Sequence, residues 1–175
     1  MRIRLTIVTS VVLLMNFFSS CEEDKKVVIN EQKLRKPLMD LNKSKVEMES
    51  DQINKYIKRR KWDVVKTGTG LRYLIYKKGI GATAKEGQRA LVRYTVMLLS
   101  GDTAYSTKET GPQEFLIGMD NVESGLHEGI QYMRVGEKAK LILPSFLAHG
   151  LIGDRNKIPM RSTIIYDIEL LDLKN

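Results

Sequence analysis

Cysteine is almost absent from this chain of 175 residues, in which Cys21 is the only one. A single cysteine excludes an internal disulfide bond and a zinc site made of several thiolates. The two histidines, His127 and His149, do not have the spacing of metal ligands, so we expect neither a metal site nor a bound cofactor. The chain also lacks an apolar run of about 20 residues, the length that a membrane-spanning helix requires.

Acidic residues are outnumbered by basic ones, and the net charge is +8. Such a balance can indicate binding to nucleic acid or to an anionic membrane, which depends on clustered positive charge. Here the basic residues are spread along the sequence apart from one cluster at residues 58–61, which is typical of a solvated helix face. We therefore expect no nucleic-acid partner. The 42% of apolar residues suffice for one ordinary domain with an appendage.

The amino terminus has the pattern of an export signal. Arg2 and Arg4 precede an apolar run over residues 5–18, which is too short to span a bilayer but suits a secretory signal. Small residues follow and lead directly to Cys21, an ending that resembles the bacterial lipobox. We therefore predict a lipoprotein signal peptide over residues 1–20 and lipidation of Cys21. An ordinary signal peptide with a chance cysteine is the alternative.

An acidic run at residues 22–24 follows the predicted lipid site at once. It resembles the surface-export signal of Bacteroidetes lipoproteins, and it is equally compatible with a solvated tether. We expect a protein of the cell envelope that is lipid-anchored at the outer membrane, on either its periplasmic or its surface face.

Two segments separate the signal from the main domain. Residues 21–40 are polar, and Pro37 should interrupt any helix there, so we predict a tether. Residues 41–63 place a thin stripe of apolar side chains near helical spacing and are predicted to form a helical linker. All the core residues that the pattern assigns lie after Val64, so the domain is predicted to span residues 64–175.

The centre of this domain is predicted to be a short helix that begins at Ser124, whose hydroxyl can cap it. Its apolar stripe includes Leu126 and Ile130 and needs a sheet to lie on. Gly125 and Gly129 lie one turn apart, and their missing side chains would let the helix backbone approach that sheet very closely.

Alternating apolar residues predict six strands around this helix. They cover residues 71–76, 90–99, 103–107, 114–117, 137–143 and 163–173. In the second and the last of these strands, the alternation places Tyr94 and Tyr166 on the inner face of the sheet. No long helix separates the strands, so the sheet should be mostly antiparallel and the fold class α+β.

Several short motifs in this domain resemble those of the FKBP-type peptidyl-prolyl isomerases in their order and spacing. They are Gly-Leu-His-Glu-Gly at residues 125–129, Met-Arg-Val-Gly-Glu at 133–137, Leu-Pro-Ser at 143–145, Leu-Ala-His-Gly at 147–150, Ile-Pro at 158–159 and Asp-Ile-Glu-Leu-Leu at 167–171. The resemblance extends over residues 68–173. It implies a twisted antiparallel sheet wrapped around one short helix, with an amino-terminal helical extension.

The resemblance also implies an apolar cup that holds a proline ring. Rotation about an X-Pro bond is slow because it breaks amide resonance, a barrier of about 18–20 kcal/mol. A dry cup lowers this barrier when it binds the twisted amide better than the planar one, and it needs no nucleophile, metal or proton transfer. The resemblance assigns catalysis to Tyr94, Tyr105, His149 and Tyr166, and substrate binding to Val122, Glu123, Leu126 and Ile158.

The implied cup departs from the family pattern at several positions. Ala104 and Tyr105 stand where most relatives have Phe and Asp, and His149 replaces a Tyr whose hydroxyl bonds the substrate carbonyl. Gln113 replaces an aromatic residue, and Glu123 brings a charge to the expected rim. A missing ring and a charge should both admit water, so we expect less efficient catalysis. These departures resemble those of the gliding-motility-associated lipoprotein branch of the family.

Two functions follow from the resemblance. The first is a peptidyl-prolyl isomerase that assists the folding of exported or envelope proteins, with proline-containing polypeptides as its clients. The second is an isomerase-like binding module with little catalysis, tethered in an envelope assembly.

Secreted relatives use a helix such as that of residues 41–63 for dimerisation or for holding clients, and the alternative is that it docks on its own domain. A serine hydrolase built on Ser145, His149 and either Asp154 or Asp167 is disfavoured because the G-x-S-x-G motif is absent.

Overall fold

The computed structural model describes residues 31–175. The predicted signal peptide, the lipidation of Cys21 and the first part of the predicted tether lie outside the described residues. The chain divides into two compact units, Met1–Asp40 and Leu41–Asn175, and the second unit contains the sheet. Within residues 31–175, no helix combines the length and the apolar character that crossing a membrane would require.

Seven strands form one sheet in the described part of the chain, and they pair antiparallel throughout. The strands are β1 (Val65–Lys66), β2 (Arg72–Lys77), β3 (Arg89–Leu98), β4 (Thr103–Ser106), β5 (Gln113–Leu116), β6 (Lys138–Leu143) and β7 (Ile164–Lys174). Their order is β1-β2-β6-β7-β3-β4, and β5 pairs with the first half of β3. The predicted α+β fold with a mostly antiparallel sheet is confirmed.

The short helix of the domain packs directly onto strand β6. An added Cβ atom on Gly125 would lie 2.6 Å from Leu143 Cγ, and one on Gly129 would lie 2.6 Å from Leu141 Cδ1. Both distances are much shorter than van der Waals contact, so only glycine allows the backbone to come this close. The predicted close approach of the helix to the sheet is therefore confirmed.

The predicted cap of this helix is wrong. The helix, here called α2, is Ser124–Ile130, and Glu123 rather than Ser124 occupies the position before it. The Ser124 hydroxyl donates to the carbonyl of Leu147 at 3.3 Å. The same carbonyl oxygen would lie 3.0 Å from a Cβ atom on Gly125, so this segment passes close to the helix start, and Ser124 bonds it instead of its own helix.

The inner face of the sheet carries the main core. Apolar residues of β3, β6 and β7 that alternate along each strand are buried there, with the side chains of α2 on top of them. Tyr94 and Tyr166 belong to the same face. The predicted assignment of strand faces is therefore confirmed.

The amino-terminal helix, α1, is Glu31–Arg60 and begins earlier than predicted. Pro37 lies inside it and does not interrupt it, which contradicts our expectation. A proline inside a helix lacks the N–H for one helix hydrogen bond, and its ring crowds the carbonyl four residues earlier, at a total cost of about 3 kcal/mol. The surrounding sequence is rich in Leu, Lys, Arg, Glu and Gln, which favour the helical state and offset this cost.

The second half of α1 covers the outer face of the sheet. Ile53 and Tyr56 are buried against Ile142 of β6 and Ile165 of β7. The prediction that all core residues follow Val64 is therefore wrong, because Ile53 has no exposed surface. A thin apolar stripe suffices for this contact, since each of the two strands presents one isoleucine outward. Of the two interpretations of the helix, docking on its own domain is the one observed for this half.

Replacing Ile53 by Ala should destabilise the protein. Truncation of a fully buried Ile lowers the free energy of unfolding by about 2–5 kcal/mol, because transfer energy is lost and a cavity remains. Val46→Ala is the matched control, because Val46 is on the same helix but 45% exposed, and it should change this free energy by less than about 0.5 kcal/mol. Denaturant unfolding measures both variants. Equal effects would contradict the docking of α1.

Candidate active site

A cleft of about 650 Å³ opens beside α2, over the inner face of the sheet. Its apolar lining comes from Val92, Val96, Phe115, Val122, Leu126 and Ala148. Its aromatic and polar lining comes from Tyr94, Tyr105, Gln113, Glu114, Asn121, Glu123, His149, Asp154, Asn156 and Tyr166. All four residues predicted as catalytic therefore line one cavity, together with three of the four predicted to bind substrate.

Ile158 is the predicted residue that does not line the cleft. Its side chain is 2% exposed and belongs to the core, so the structure contradicts a direct side-chain contact with substrate. Its backbone N–H donates to Asp154 Oδ1 at 2.8 Å and so fixes the turn that carries Asp154 to the cleft. Asp154 and Ile158 belong to the same turn. Asp154 lines the cavity, whereas Ile158 is buried in the core.

Tyr94 and Tyr166 form the aromatic wall of the cleft. The pairing of β3 with β7 places both rings on the inner face, with centroids 5.4 Å apart and planes inclined by 67°. Burial raises the pKa of Tyr94, and the carboxylate of Glu123 raises it further. Burial and Glu123 also raise the pKa of Tyr166 well above its ordinary value. Both hydroxyls therefore keep their protons at neutral pH and act as hydrogen-bond donors.

The two hydroxyls differ in what they bond. Tyr166 donates to Glu123 Oε2 at 2.9 Å, whereas Tyr94 Oη has no hydrogen-bond partner among residues 31–175. Every fully buried side-chain polar atom in that part of the chain has a partner, so Tyr94 Oη must be accessible. It is thus a donor that an occupant of the cleft can use.

Glu123 is a charged residue inside the cleft. Oε2 accepts the Tyr166 hydrogen bond, and Oε1 lies 2.9 Å from His149 Nε2. The Glu123 side chain is only 12% exposed. Tyr166 donates to the carboxylate and His149 lies beside it, so side chains largely enclose this charge, whereas we expected it at a rim open to water.

Tyr105 of β4 and Asp154 form a second hydrogen-bonded pair in the cleft. The Tyr105 hydroxyl donates to Asp154 Oδ2 and accepts from Asn156 Nδ2 at 3.3 Å. Sequence reasoning considered Asp154 only as a hydrolase residue and missed Asn156. The sequence offered one local indication of a turn at Asp154, because Asp side chains in turns often bond the backbone a few residues later. In the structure the Asp154 carboxylate accepts from the N–H groups of Asn156 and Ile158.

His127 supports the site without lining it. Its Nδ1 accepts from the Gly118 N–H at 2.8 Å, and its Nε2 donates to the carbonyl of Asp120 at 2.9 Å. This arrangement requires a neutral imidazole with its proton on Nε2. These two hydrogen bonds hold the segment that continues into Val122 and Glu123. His127 therefore positions two residues that line the cleft.

The arrangement of side chains excludes the serine hydrolase. The Ser145 hydroxyl donates to Glu49 at 2.9 Å, while His149 faces Glu123, so the two residues do not form a nucleophile and base pair. Among the described residues, the cleft offers apolar walls, carboxylates and hydrogen-bond donors. These groups suit a reaction in which no covalent bond to the protein forms.

Fold and cleft together define a class of protein: an α+β domain with a half-apolar cavity on the inner face of an antiparallel sheet, equipped for noncovalent work on a bound segment. The family model described as FKBP-type peptidyl-prolyl cis-trans isomerase matches residues 81–171. The chain belongs to this family.

Named relatives agree with the assignment. FK506-binding protein 2 of Dictyostelium discoideum is 42% identical over 90 residues, which are 51% of this chain and 68% of that protein. The peptidyl-prolyl cis-trans isomerase FkpA of Buchnera aphidicola subsp. Schizaphis graminum is 36% identical over 154 residues, 82% of this chain, but the match spans only 59% of that protein. The crystal structure of FkpA from Escherichia coli is similar with a TM-score of 0.62 and 27% identity, covering 98% of this chain and 82% of that one.

The carboxyl group of Asp154 should titrate well below its ordinary range. Burial alone would raise its pKa, but hydrogen bonds from Tyr105 and from the N–H groups of Ile158 and Asn156 outweigh burial and lower the pKa from 3.8 to about 2. The stabilisation is complete above pH 3.8 and is lost as the pH falls through about 2, so the turn should persist at pH 3.

An NMR titration of the amide protons of Asn156 and Ile158 measures this pKa, since both bond the carboxylate. Asp154→Asn is the control and should abolish the titration. Amide shifts with a midpoint near 3.8 would contradict the hydrogen-bonded carboxylate.

Proposed function

We propose that this chain is an exported, lipid-anchored peptidyl-prolyl isomerase that acts on proline-containing segments of exported or envelope proteins. The observation that carries the proposal is the cleft, in which the rings of Tyr94 and Tyr166 stand beside aliphatic side chains and an accessible hydroxyl. Membership of the isomerase family supports the type of reaction.

In the proposed mechanism, the cleft binds the twisted X-Pro amide more tightly than the planar one. Twisting removes amide resonance and therefore reduces charge separation in the peptide group. A cavity with little water destabilises the twisted form less than the planar form, which lowers the rotational barrier. The aliphatic side chains of Val122 and Leu126 and the two tyrosine rings would supply this environment around the proline ring.

Tyr94 is the proposed donor to the carbonyl group of the bound segment. The resemblance assigns this task to His149, but Nε2 of His149 lies 2.9 Å from the Glu123 carboxylate, which competes for its proton. The Tyr94 hydroxyl is protonated and has no partner within residues 31–175. A hydrogen bond from Tyr94 to a carbonyl group outside the rotating amide would hold the segment in place while the X-Pro bond twists, and correct positioning raises the rate.

We further propose that residues 1–20 are removed on export and that a lipid on Cys21 anchors the protein at the outer membrane. Support comes from the short apolar run and the small residues that precede the sole cysteine. The proposed signal peptide and lipid site, together with Ala104, Tyr105 and His149 in place of the usual family residues, favour the gliding-motility-associated branch of the family in Bacteroidetes.

The purified chain should accelerate exchange between the cis and trans forms of a short proline peptide. Tyr94→Phe removes the proposed donor and should lower kcat/KM about three- to tenfold, as expected for one hydrogen bond worth about 0.6–1.4 kcal/mol. Tyr76→Phe is the matched control, because Tyr76 is exposed, bonds Asp167 and does not line the cleft. NMR exchange spectroscopy measures all three proteins.

The outcomes of this assay separate the two candidate functions. A peptide that binds the cleft without faster exchange would favour the alternative, a binding module tethered in an envelope assembly. Equal rates for the wild type and Tyr94→Phe would remove Tyr94 from the mechanism while leaving isomerase activity in place.

Cys21→Ser should move the protein from the membrane fraction to the soluble fraction, because the hydroxyl group cannot be lipidated as the thiol is. Fractionation followed by immunoblotting of both proteins measures the change. Intact-mass analysis of protein purified from the envelope provides the direct check, and a Cys21 without added lipid mass would overturn the proposed anchor.

A further inference from the structure

Glu49 of α1 accepts three hydrogen bonds from a distant part of the chain. Its Oε1 accepts from the Ser145 N–H at 2.7 Å and from the Thr163 hydroxyl at 2.6 Å, and its Oε2 accepts from the Ser145 hydroxyl at 2.9 Å. Ser145 and Thr163 are both buried. One carboxylate therefore satisfies three donors that have little access to water.

The two partners of Glu49 mark the ends of one segment. We call residues 145–163, which connect β6 to β7, the wall loop. Ser145 is its first residue and Thr163 its last, immediately before β7. The wall loop contributes Ala148, His149, Asp154 and Asn156 to the cleft. Glu49 itself does not line the cleft, so any effect on it must pass through this loop.

Hydrogen bonds lead from Ser145 to the histidine in the cleft. The carbonyl of Ser145 accepts from the N–H groups of Ala148 at 3.1 Å and Gly150 at 2.8 Å, the two neighbours of His149. The carbonyl of Gly150 then accepts from the Arg161 N–H at 3.0 Å and closes the loop. The orientation of the Ser145 backbone, whose N–H bonds Glu49 and whose carbonyl bonds both neighbours of His149, therefore sets the position of His149 relative to Glu123.

Glu49 is the one acceptor for the Ser145 N–H among residues 31–175. If Glu49 is removed, this buried N–H and the two hydroxyls must bond water or new partners, and the ends of the wall loop lose the contact that fixes their position. The helix thus fixes the loop from the outer side, and Glu123 holds its histidine from within the cleft.

We propose that Glu49 is a positioning residue for the cleft: it holds both ends of the wall loop and thereby places His149, Asp154 and Asn156. The proposal rests on the proposed isomerase function only for its kinetic consequence. Its structural consequence, a displaced His149, does not depend on catalysis. It also assigns α1 a task within the site, beyond covering the sheet.

The test compares Glu49→Ala and Glu49→Gln with Glu47→Ala in the purified full-length chain. Glu47 is on the same helix but exposed, so it is the matched control. Glu49→Ala should lower kcat/KM on a proline peptide about tenfold under conditions where the protein remains folded, less than the roughly hundredfold loss that a misplacement of about 1 Å can cause. Glu49→Gln keeps one acceptor oxygen and should lose less, and Glu47→Ala should match the wild type.

NMR signals of the His149 ring supply a readout that a purely stabilising role would not change. They should shift in Glu49→Ala, shift less in Glu49→Gln and remain in place in Glu47→Ala. If Glu49→Ala does not fold, Thr163→Val takes its place, because it removes one of the three donors while nearly preserving volume. Shifted ring signals in Thr163→Val then support the proposal.

The outcomes are distinguishable from those of the proposed function. Unchanged His149 signals and unchanged kcat/KM in folded Glu49→Ala, or unchanged signals in Thr163→Val, would overturn the positioning role. A wild type without isomerase activity would overturn the proposed function, and the His149 signals alone would then decide the role of Glu49.

Discussion

The contact of the α2 backbone with β6 is the constraint on which the rest of the domain depends. It is possible because Gly125 and Gly129 carry no side chains where the helix meets Leu143 and Leu141. The contact sets the depth of the cleft, since Leu126 lines it from the same helix. It also fixes the start of the helix, from which Glu123 reaches both strand β7 and the wall loop.

Glu123 and His149 illustrate why substitutions in a site should be judged in pairs. Considered singly, one brings a charge to an apolar cup, and the other removes a tyrosine hydroxyl that relatives use. In the structure Glu123 Oε1 lies 2.9 Å from His149 Nε2, and Tyr166 donates a hydrogen bond to the other oxygen of the carboxylate. The charge that we expected to admit water is thus largely enclosed by side chains. The cleft keeps its tyrosine wall and gains a polar group that is already paired.

The parts of the fold that sequence reasoning predicted are those governed by local periodicity. Alternation along β3 and β7 placed Tyr94 and Tyr166 on one face because side-chain direction has a period of two in any strand. The role of α1 could not be predicted from periodicity. Its one buried isoleucine meets partners on β6 and β7, and Glu49 bonds Ser145 and Thr163, which lie 96 and 114 residues away. Single polar contacts over such separations leave no periodic trace in a sequence.

The order of the strands also decides how a client can be held. The two longest strands, β3 and β7, pair with neighbours on both sides, whereas β1, at one margin of the sheet, has only two residues. At the other margin, β4 and β5 have four residues each. Such short margins offer a foreign chain few free backbone groups for strand addition. A polypeptide in the cleft is therefore not added to the sheet as a further strand, and it can leave again without breaking a ladder of backbone hydrogen bonds.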